Sequence, residues 1–171
     1  MRLAILSDIH DNVWKLAGAL QALQDAEALI CCGDLCSPFI VHQMARGFSR
    51  PVHIIFGNND ADLFRITTNA QRYPHVHIHG EMFRGEFGGK RVCANHYDGI
   101  AHAIAASGEF DVVCFGHNHI YELARSGRTL AINPGPIMGA AFGGDGTRTE
   151  VASTYVIYDT ESDSAQRFEV G

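Results

Sequence analysis

No apolar run in the sequence is long enough to cross a bilayer as a helix. Nor does the N-terminal stretch MRLAILSDIH carry the basic flank and apolar core of a secretory signal, so it reads as a first strand. Positive charge is in deficit. Thirteen Lys and Arg against nineteen Asp and Glu give a formal charge of −6, which excludes the basic footprint of a duplex nucleic-acid binder. Small nucleotides remain open, because a local site can differ in sign from the whole. Paired cysteines are missing as well. Cys31, Cys32, Cys36, Cys93 and Cys114 are odd in number, and no second pair completes a zinc site. Reduced thiols in a cytoplasmic protein are the expectation. With no repeat, no low-complexity segment and no composition break, residues 1–171 read as one domain with a sizeable core.

The pattern mixes two regimes. The first third alternates strand and helix: strand at Arg2–Ser7, helix at Val13–Gln24, strand at Ala28–Cys32, helix from Ser37-Pro38 to Phe48, strand at Val52–Phe56 and helix at Ala61–Arg72. Trp14, Ala17, Leu20 and Leu23 are expected on the buried face of the first helix, with Asp11 or Asn12 as its cap. The later part reads as hairpins around Gly88-Gly89 and Ser126-Gly127, with a helix at Ile100–Ser107 and two closing strands. Gly139–Thr149 reads as a mobile loop, either over the site or as a plain disordered hairpin connection. A single parallel sheet cannot hold so many strands. Two packed sheets with helices on their outer faces can.

Five apolar runs end in the same manner. LAIL leads to Ser7, Asp8, Ile9 and His10. ALICC leads to Gly33 and Asp34, and VHIIF to Gly57, Asn58, Asn59 and Asp60. RVCA leads to Asn95 and His96, and VVCF to Gly116, His117, Asn118 and His119. Ligands of α/β proteins bind beyond the carboxyl ends of strands, so five adjacent strands would bring these clusters to one rim. In an extended segment residues i and i+2 share a side, so His117 and His119 would face one point if the backbone stays extended there.

Carboxylate, amide and imidazole ligands suit Mn²⁺, Fe, Zn²⁺ or Ni²⁺ without cysteine. Seven ligands exceed the needs of one ion. Asp8, His10, Asp34 and His119 form one set. Asp34, Asn58, His96 and His117 form a second, with Asp34 bridging. Two such ions clamp an in-line displacement at phosphorus and lower the pKa of bound water. Only Asp8 and Asp34 are anionic, which leaves the centre about two charges positive and able to draw phosphate to an acidic protein.

At these residues the sequence resembles the calcineurin-like metallophosphoesterases, and within them the small bacterial and archaeal phosphodiesterase group. The matching motifs are D-x-H (Asp8, His10), G-D (Gly33, Asp34), G-N-x-D (Gly57, Asn58, Asp60), a strand-end His96 and G-H-x-H (Gly116, His117, His119), with the Asn133-Pro134-Gly135 turn beyond them. The resemblance implies a four-layer α/β/β/α sandwich of two packed mixed β-sheets. It also implies two divalent ions, Mn²⁺ first among them, and hydrolysis of a small phosphate ester by hydroxide held on the ion pair. Asp34, Asn58 and His96 are then expected to act in catalysis, and Asn12, Asn58 and Asn59 to contact substrate. Two departures stand out. Many relatives carry a leaving-group histidine where this chain has Asn59, which cannot act as an acid. Where relatives read H-G-H, this chain reads His96-Tyr97-Asp98. Losing a general acid typically forfeits about 10²- to 10⁴-fold with poor leaving groups, so activated esters are the expected preference.

A phosphomonoesterase acting on a small metabolite, or a metal-binding scaffold like relatives in protein-sorting complexes, are the competing readings. Asp11 and Asp60 are expected either to orient ligand histidines or to face solvent. His75, His77 and His79 alternate along one strand face, which suits a polar face or the subunit contact of a homo-oligomer, with a further metal as the alternative.

Overall fold

The computed structural model describes residues 1–171. Thirteen strands and four helices follow in the order β1 Arg2–Leu6, α1 Val13–Ala22, β2 Ala28–Cys31, α2 Phe39–Gly47, β3 Val52–Ile54, α3 Leu63–Ala70, β4 Val76–Ile78, β5 Met82–Phe87, β6 Lys90–Asn95, α4 Asp98–Ser107, β7 Val112–Cys114, β8 Glu122–Ser126, β9 Thr129–Asn133, β10 Ala140–Phe142, β11 Arg148–Glu150, β12 Thr154–Asp159 and β13 Ser164–Glu169. One sheet runs β13-β12-β1-β2-β3-β4 and the other β5-β6-β7-β9-β8, with β10 and β11 forming a separate hairpin.

Residue alternation builds the layers. Leu3, Ile5, Ala28 and Ile30 point from the first sheet into a cluster shared with Phe83, Val92, Val112 and Ile132 of the second. Their neighbours Ala4, Leu6, Leu29 and Cys31 point the other way, onto Leu16, Leu20, Val41, Met44 and Ile66 of α1, α2 and α3. On the far side of the second sheet, Cys93 and Val113 meet Ala101 and Ala105 of α4. The result is an α/β/β/α sandwich. Its central strands are buried on both faces and therefore read as unbroken apolar runs.

Within the first sheet β1, β2 and β3 are parallel, with Ile5 beside Ile30 and Cys31 beside Ile54. Within the second, β6, β7 and β9 are parallel, with Ala94 beside Cys114 and Cys114 beside Ile132. Parallel register brings the carboxyl ends level. A bridge between Ser7 and Pro136 ties the two rims together.

Three expectations need correction. The buried stripe of α1 is Leu16, Ala19 and Leu20, continued by Leu23, whereas Trp14 is 81% exposed. That i, i+3, i+4, i+7 spacing outcompetes the stripe drawn through Trp14. Gly139–Thr149 is not a bare loop, because Ala140 to Phe142 pair with Glu150 to Arg148. Finally, His75 does not join His77 and His79. It turns to the Ala45 carbonyl, and its place in the cluster is taken by His53, the cross-strand partner of His77 on β3. Phe83 and Phe87 of β5 pack against that cluster.

Candidate metal centre

The residues that follow β1, β2, β3, β6 and β7 meet at one rim. Ligand atoms of Asp8, His10, Asp34 and His119 all lie within 4.8 Å of one another. His10 Nε2 is 3.3 Å from Asp34 Oδ2, and His119 Nε2 is 3.4 Å from Asp8 Oδ1. Beside them, Asn58 Oδ1 lies 3.1 Å from His96 Nε2 and 2.9 Å from His117 Nδ1. His96 Nε2 is also 3.5 Å from Asp34 Oδ2. Asp34 thus stands between two groups of ligand-type atoms, and all seven side chains named from the sequence are assembled here.

The backbone turns sharply to aim these side chains. Asp8, His10, Asp34, His117 and His119 all take left-handed φ values between 43° and 73°, as do Asp11 and Cys36. Asp and His tolerate that region better than most residues, yet each such residue costs about 1–3 kcal/mol. Only one further non-glycine residue in the chain, Asp163, has positive φ. Strain is therefore concentrated at the rim. It also corrects the sequence expectation at 117 and 119. The segment bends rather than extends, so the two imidazoles separate, His117 toward Asn58 and His119 toward Asp8.

The motif glycines make room for this packing. A Cβ on Gly33, whose φ is +98°, would lie 2.6 Å from the Gly57 nitrogen and 2.9 Å from His96 Nδ1. On Gly57 it would overlap Asp34 Oδ1, and on Gly116 it would overlap Ser7 Oγ. No L side chain fits between the rims at these points.

The outer hydrogen bonds set the tautomers. His96 Nδ1 donates to the Cys32 carbonyl and His119 Nδ1 to the Ala140 carbonyl, each at 2.7 Å. A carbonyl only accepts, so both rings carry the proton on Nδ1. In the neutral ring the Nε2 lone pair then faces a carboxylate. Two lone pairs at 3.4–3.5 Å repel unless a proton or a metal cation lies between them. Burial would lower the pKa of both histidines, but the partnership of His96 with Asp34 and of His119 with Asp8 outweighs it and raises each. Asp34 shows the reverse face of the same field. Burial opposes its ionisation, yet His10, His96 and Asn59 hold its carboxyl far below the usual range. His10 Nε2 is buried and, though near Asp34, is not aligned for a hydrogen bond with it. An orphaned imidazole nitrogen amid oxygen ligands fits a divalent cation.

Neighbouring residues hold the loops that carry these ligands. As expected, Asn12 caps α1, accepting from the Lys15 amide, and its Nδ2 donates to the Met138 carbonyl. Asp60 accepts from the amides of Asp34, Cys36 and Gly57. Asp11 accepts from the amide and hydroxyl of Ser37. Both pin loops, and neither touches a histidine. Asn59 donates twice to Asp34, from its backbone to Oδ1 and from its side chain to Oδ2, each at 2.8 Å. Sequence reasoning gave no role to Asn133. Its buried amide donates to the Gly116 carbonyl and Asn118 Oδ1 and so fixes the bend carrying His117 and His119. The Asn-Pro-Gly turn was the available signal.

The cleft holds about 380 Å³ and is lined by His10, Asp34, Asn58, Asn59, His117, Asn118, His119 and Phe142. It contains no lysine and no arginine, so bound cations would add the positive charge that attracts a phosphate.

The family model for the calcineurin-like phosphoesterase superfamily domain matches residues 1–163. The curated Phosphodiesterase MJ0936 of Methanocaldococcus jannaschii is 25% identical over 143 residues, covering 81% of this chain and 86% of that protein. Among solved structures, an archaeal phosphodiesterase aligns with a TM-score of 0.85 at 23% identity over 99% of both chains. Vps29 of Chaetomium thermophilum aligns at 0.69 with 16% identity, over 99% of this chain and 97% of that one. The phosphoesterase Yfce of E. coli aligns at 0.60 with 17% identity over the whole of both. At these identities the structural matches show a shared fold. The match across residues 1–163 shows more: this chain belongs to the calcineurin-like phosphoesterase superfamily.

Proposed function

We propose that the protein is a divalent-metal-dependent phosphodiesterase of the cytoplasm. On this reading Asp8, His10, Asp34 and His119 would hold one ion, and Asn58, His96 and His117 would hold a second, with Asp34 common to both sets. Mn²⁺ is the leading metal for such an oxygen and nitrogen set, with Fe, Zn²⁺ and Ni²⁺ tolerated. When bound, the ions supply Lewis acidity toward phosphoryl oxygens and activate water near neutral pH.

The chain's own contribution is positioning. Carbonyls of Cys32 and Ala140 keep His96 and His119 in the tautomer whose Nε2 can ligate. The two hydrogen bonds from Asn59 fix the rotamer of Asp34. Asn58 lines the cleft with an amide that can orient a phosphate without adding charge. Apart from the ligand histidines, no side chain of the cleft can pass a proton to a leaving group. Departure is therefore assisted by solvent, which favours activated esters. The observation that carries this reading is the convergence of four buried or half-buried ligand groups within 4.8 Å in a cleft without lysine or arginine. The likeness to a curated phosphodiesterase supports diesters over monoesters.

Parallel assays of bis(p-nitrophenyl) phosphate and p-nitrophenyl phosphate with Mn²⁺, before and after chelation, test it. Turnover of the diester that chelation abolishes is expected. Preference for the monoester would make it a phosphomonoesterase. No turnover of any activated ester would favour a scaffold role.

A further inference from the structure

On the other side of His119 lies a second cavity of about 320 Å³. Its walls include Ile120 and Tyr121 after β7, Ala141 of β10, Val151 beyond β11, and Arg167 of β13. His119 is common to this cavity and to the metal cleft. Its Nε2 edge faces Asp8 and its ring borders the apolar space.

Folding alone does not account for this wall. Ile120 is 61% exposed and Phe142 54% exposed, so both leave large apolar surfaces in water. They stand beside His119, Ile120 in the cavity and Phe142 in the cleft, with the Phe142 ring 6.2 Å from the imidazole. Scattered exposed hydrophobics need no explanation, but an apolar cavity that shares a wall residue with a polar cleft is a candidate ligand surface. The polar atoms of the lining are largely spent. Thr154 Oγ1 donates to the Pro134 carbonyl. Arg167 lies 5.0 Å over the Tyr121 ring and donates to Glu169. What remains is an aromatic and aliphatic slot with one cation, which selects by shape and stacking rather than by hydrogen bonding.

We propose that this cavity receives one organic substituent of the phosphodiester, and that the substituent is a flat aromatic ring, as in an aryl or nucleoside ester. The inference rests on the phosphodiesterase reading and names its substrate class. The phosphorus sits in the cleft, the ring passes along the face of His119, and Ile120 and Tyr121 hold it. The volume falls at the lower end of the roughly 300–1,000 Å³ typical of small-molecule sites, which suits a single ring system.

Binding of phenylphosphonate and methylphosphonate to the Mn²⁺-loaded protein, measured by calorimetry, tests this. Neither compound is hydrolysed, and they differ only in the ring. The phenyl compound should bind about tenfold or more tightly, as burial of one ring face predicts. In Ala141→Trp, which fills the slot, that ratio should fall toward one. In Ile120→Ser, whose exposed side chain makes misfolding no concern, it should fall at least about threefold. Equal affinities in the unaltered protein, or a ratio that survives both substitutions, would overturn the proposal while leaving the phosphodiesterase reading intact. If neither phosphonate binds, the proposal falls, and the turnover of bis(p-nitrophenyl) phosphate decides the phosphodiesterase reading separately.

Discussion

Replacing Asn59 with alanine separates a positioning role from a substrate-binding one. The side chain contributes one hydrogen bond of 2.8 Å to Asp34 Oδ2, and the backbone bond to Oδ1 survives the change. Hydrogen bonds to a charged group contribute about 1.5–3 kcal/mol. Asn59 is exposed at the cleft, so water can reach the vacated place, but it holds the carboxylate less firmly than a fixed amide does. If that energy serves to hold the carboxylate in its ligating rotamer, its loss weakens metal affinity by about 10- to 100-fold, the usual range for partners of metal ligands. Asn59 moves no proton, so kcat for an aryl diester at saturating Mn²⁺ should stay within about threefold. Calorimetric Mn²⁺ titration and saturation kinetics measure the two effects separately. An unchanged metal affinity with a large fall in kcat would refute the reasoning and would make Asn59 a substrate contact. The companion Asn59→His supplies a titratable donor, and rates on poorly activated diesters should rise relative to activated ones.

Gly57→Ala should displace Asp34, since the added Cβ would lie 2.7 Å from the Asp34 backbone nitrogen, which cannot yield as a side chain would. A misplacement near 1 Å can cost about 10²-fold in rate, so kcat/KM should drop by that order while the far-UV spectrum is retained. The His53 cluster gives a pH-dependent stability. Burial, then the neighbouring His79 and His77, push His53 down to about 4. The neutral ring is favoured in the fold, so its contribution is whole above about 6.5 and is lost as pH falls toward about 4. One proton sets a ceiling of about 1.4 kcal/mol per pH unit, and solvent around this half-exposed group leaves only a fraction of it. The urea midpoint should fall more between pH 7 and 4.5 in the unaltered protein than in His53→Phe; equal falls would contradict this. Gly116→Ala, crowding Ser7 Oγ from the opposite rim, should resemble Gly57→Ala in rate and in metal affinity.

The sequence made the layers and the rim legible for one physical reason. Strands buried on both faces read as apolar runs, and a run that stops at glycine followed by Asp, Asn or His announces a site. Ile5, Ile30 and Ile54 carry that signal for the first sheet, and Cys114 for the second. What remained hidden depends on atoms far apart in the chain. The carbonyl of Cys32 that fixes His96 and the carbonyl of Ala140 that fixes His119 are backbone groups without a residue-type signature. Left-handed φ at Asp8 and His117 cannot be read from residues that adopt either hand. His53 and His77 meet only through the β3–β4 register. The stripe through Trp14 failed because two helical phases fit the same apolar residues, and only the sheet beneath decides between them.

Anomalous diffraction from crystals grown with Mn²⁺ tests the central claim most directly. Two peaks are predicted, one among Asp8, His10, Asp34 and His119 and one among Asp34, Asn58, His96 and His117, joined through the Asp34 carboxylate. Manganese absent from both positions, or bound only elsewhere on the surface, would contradict it.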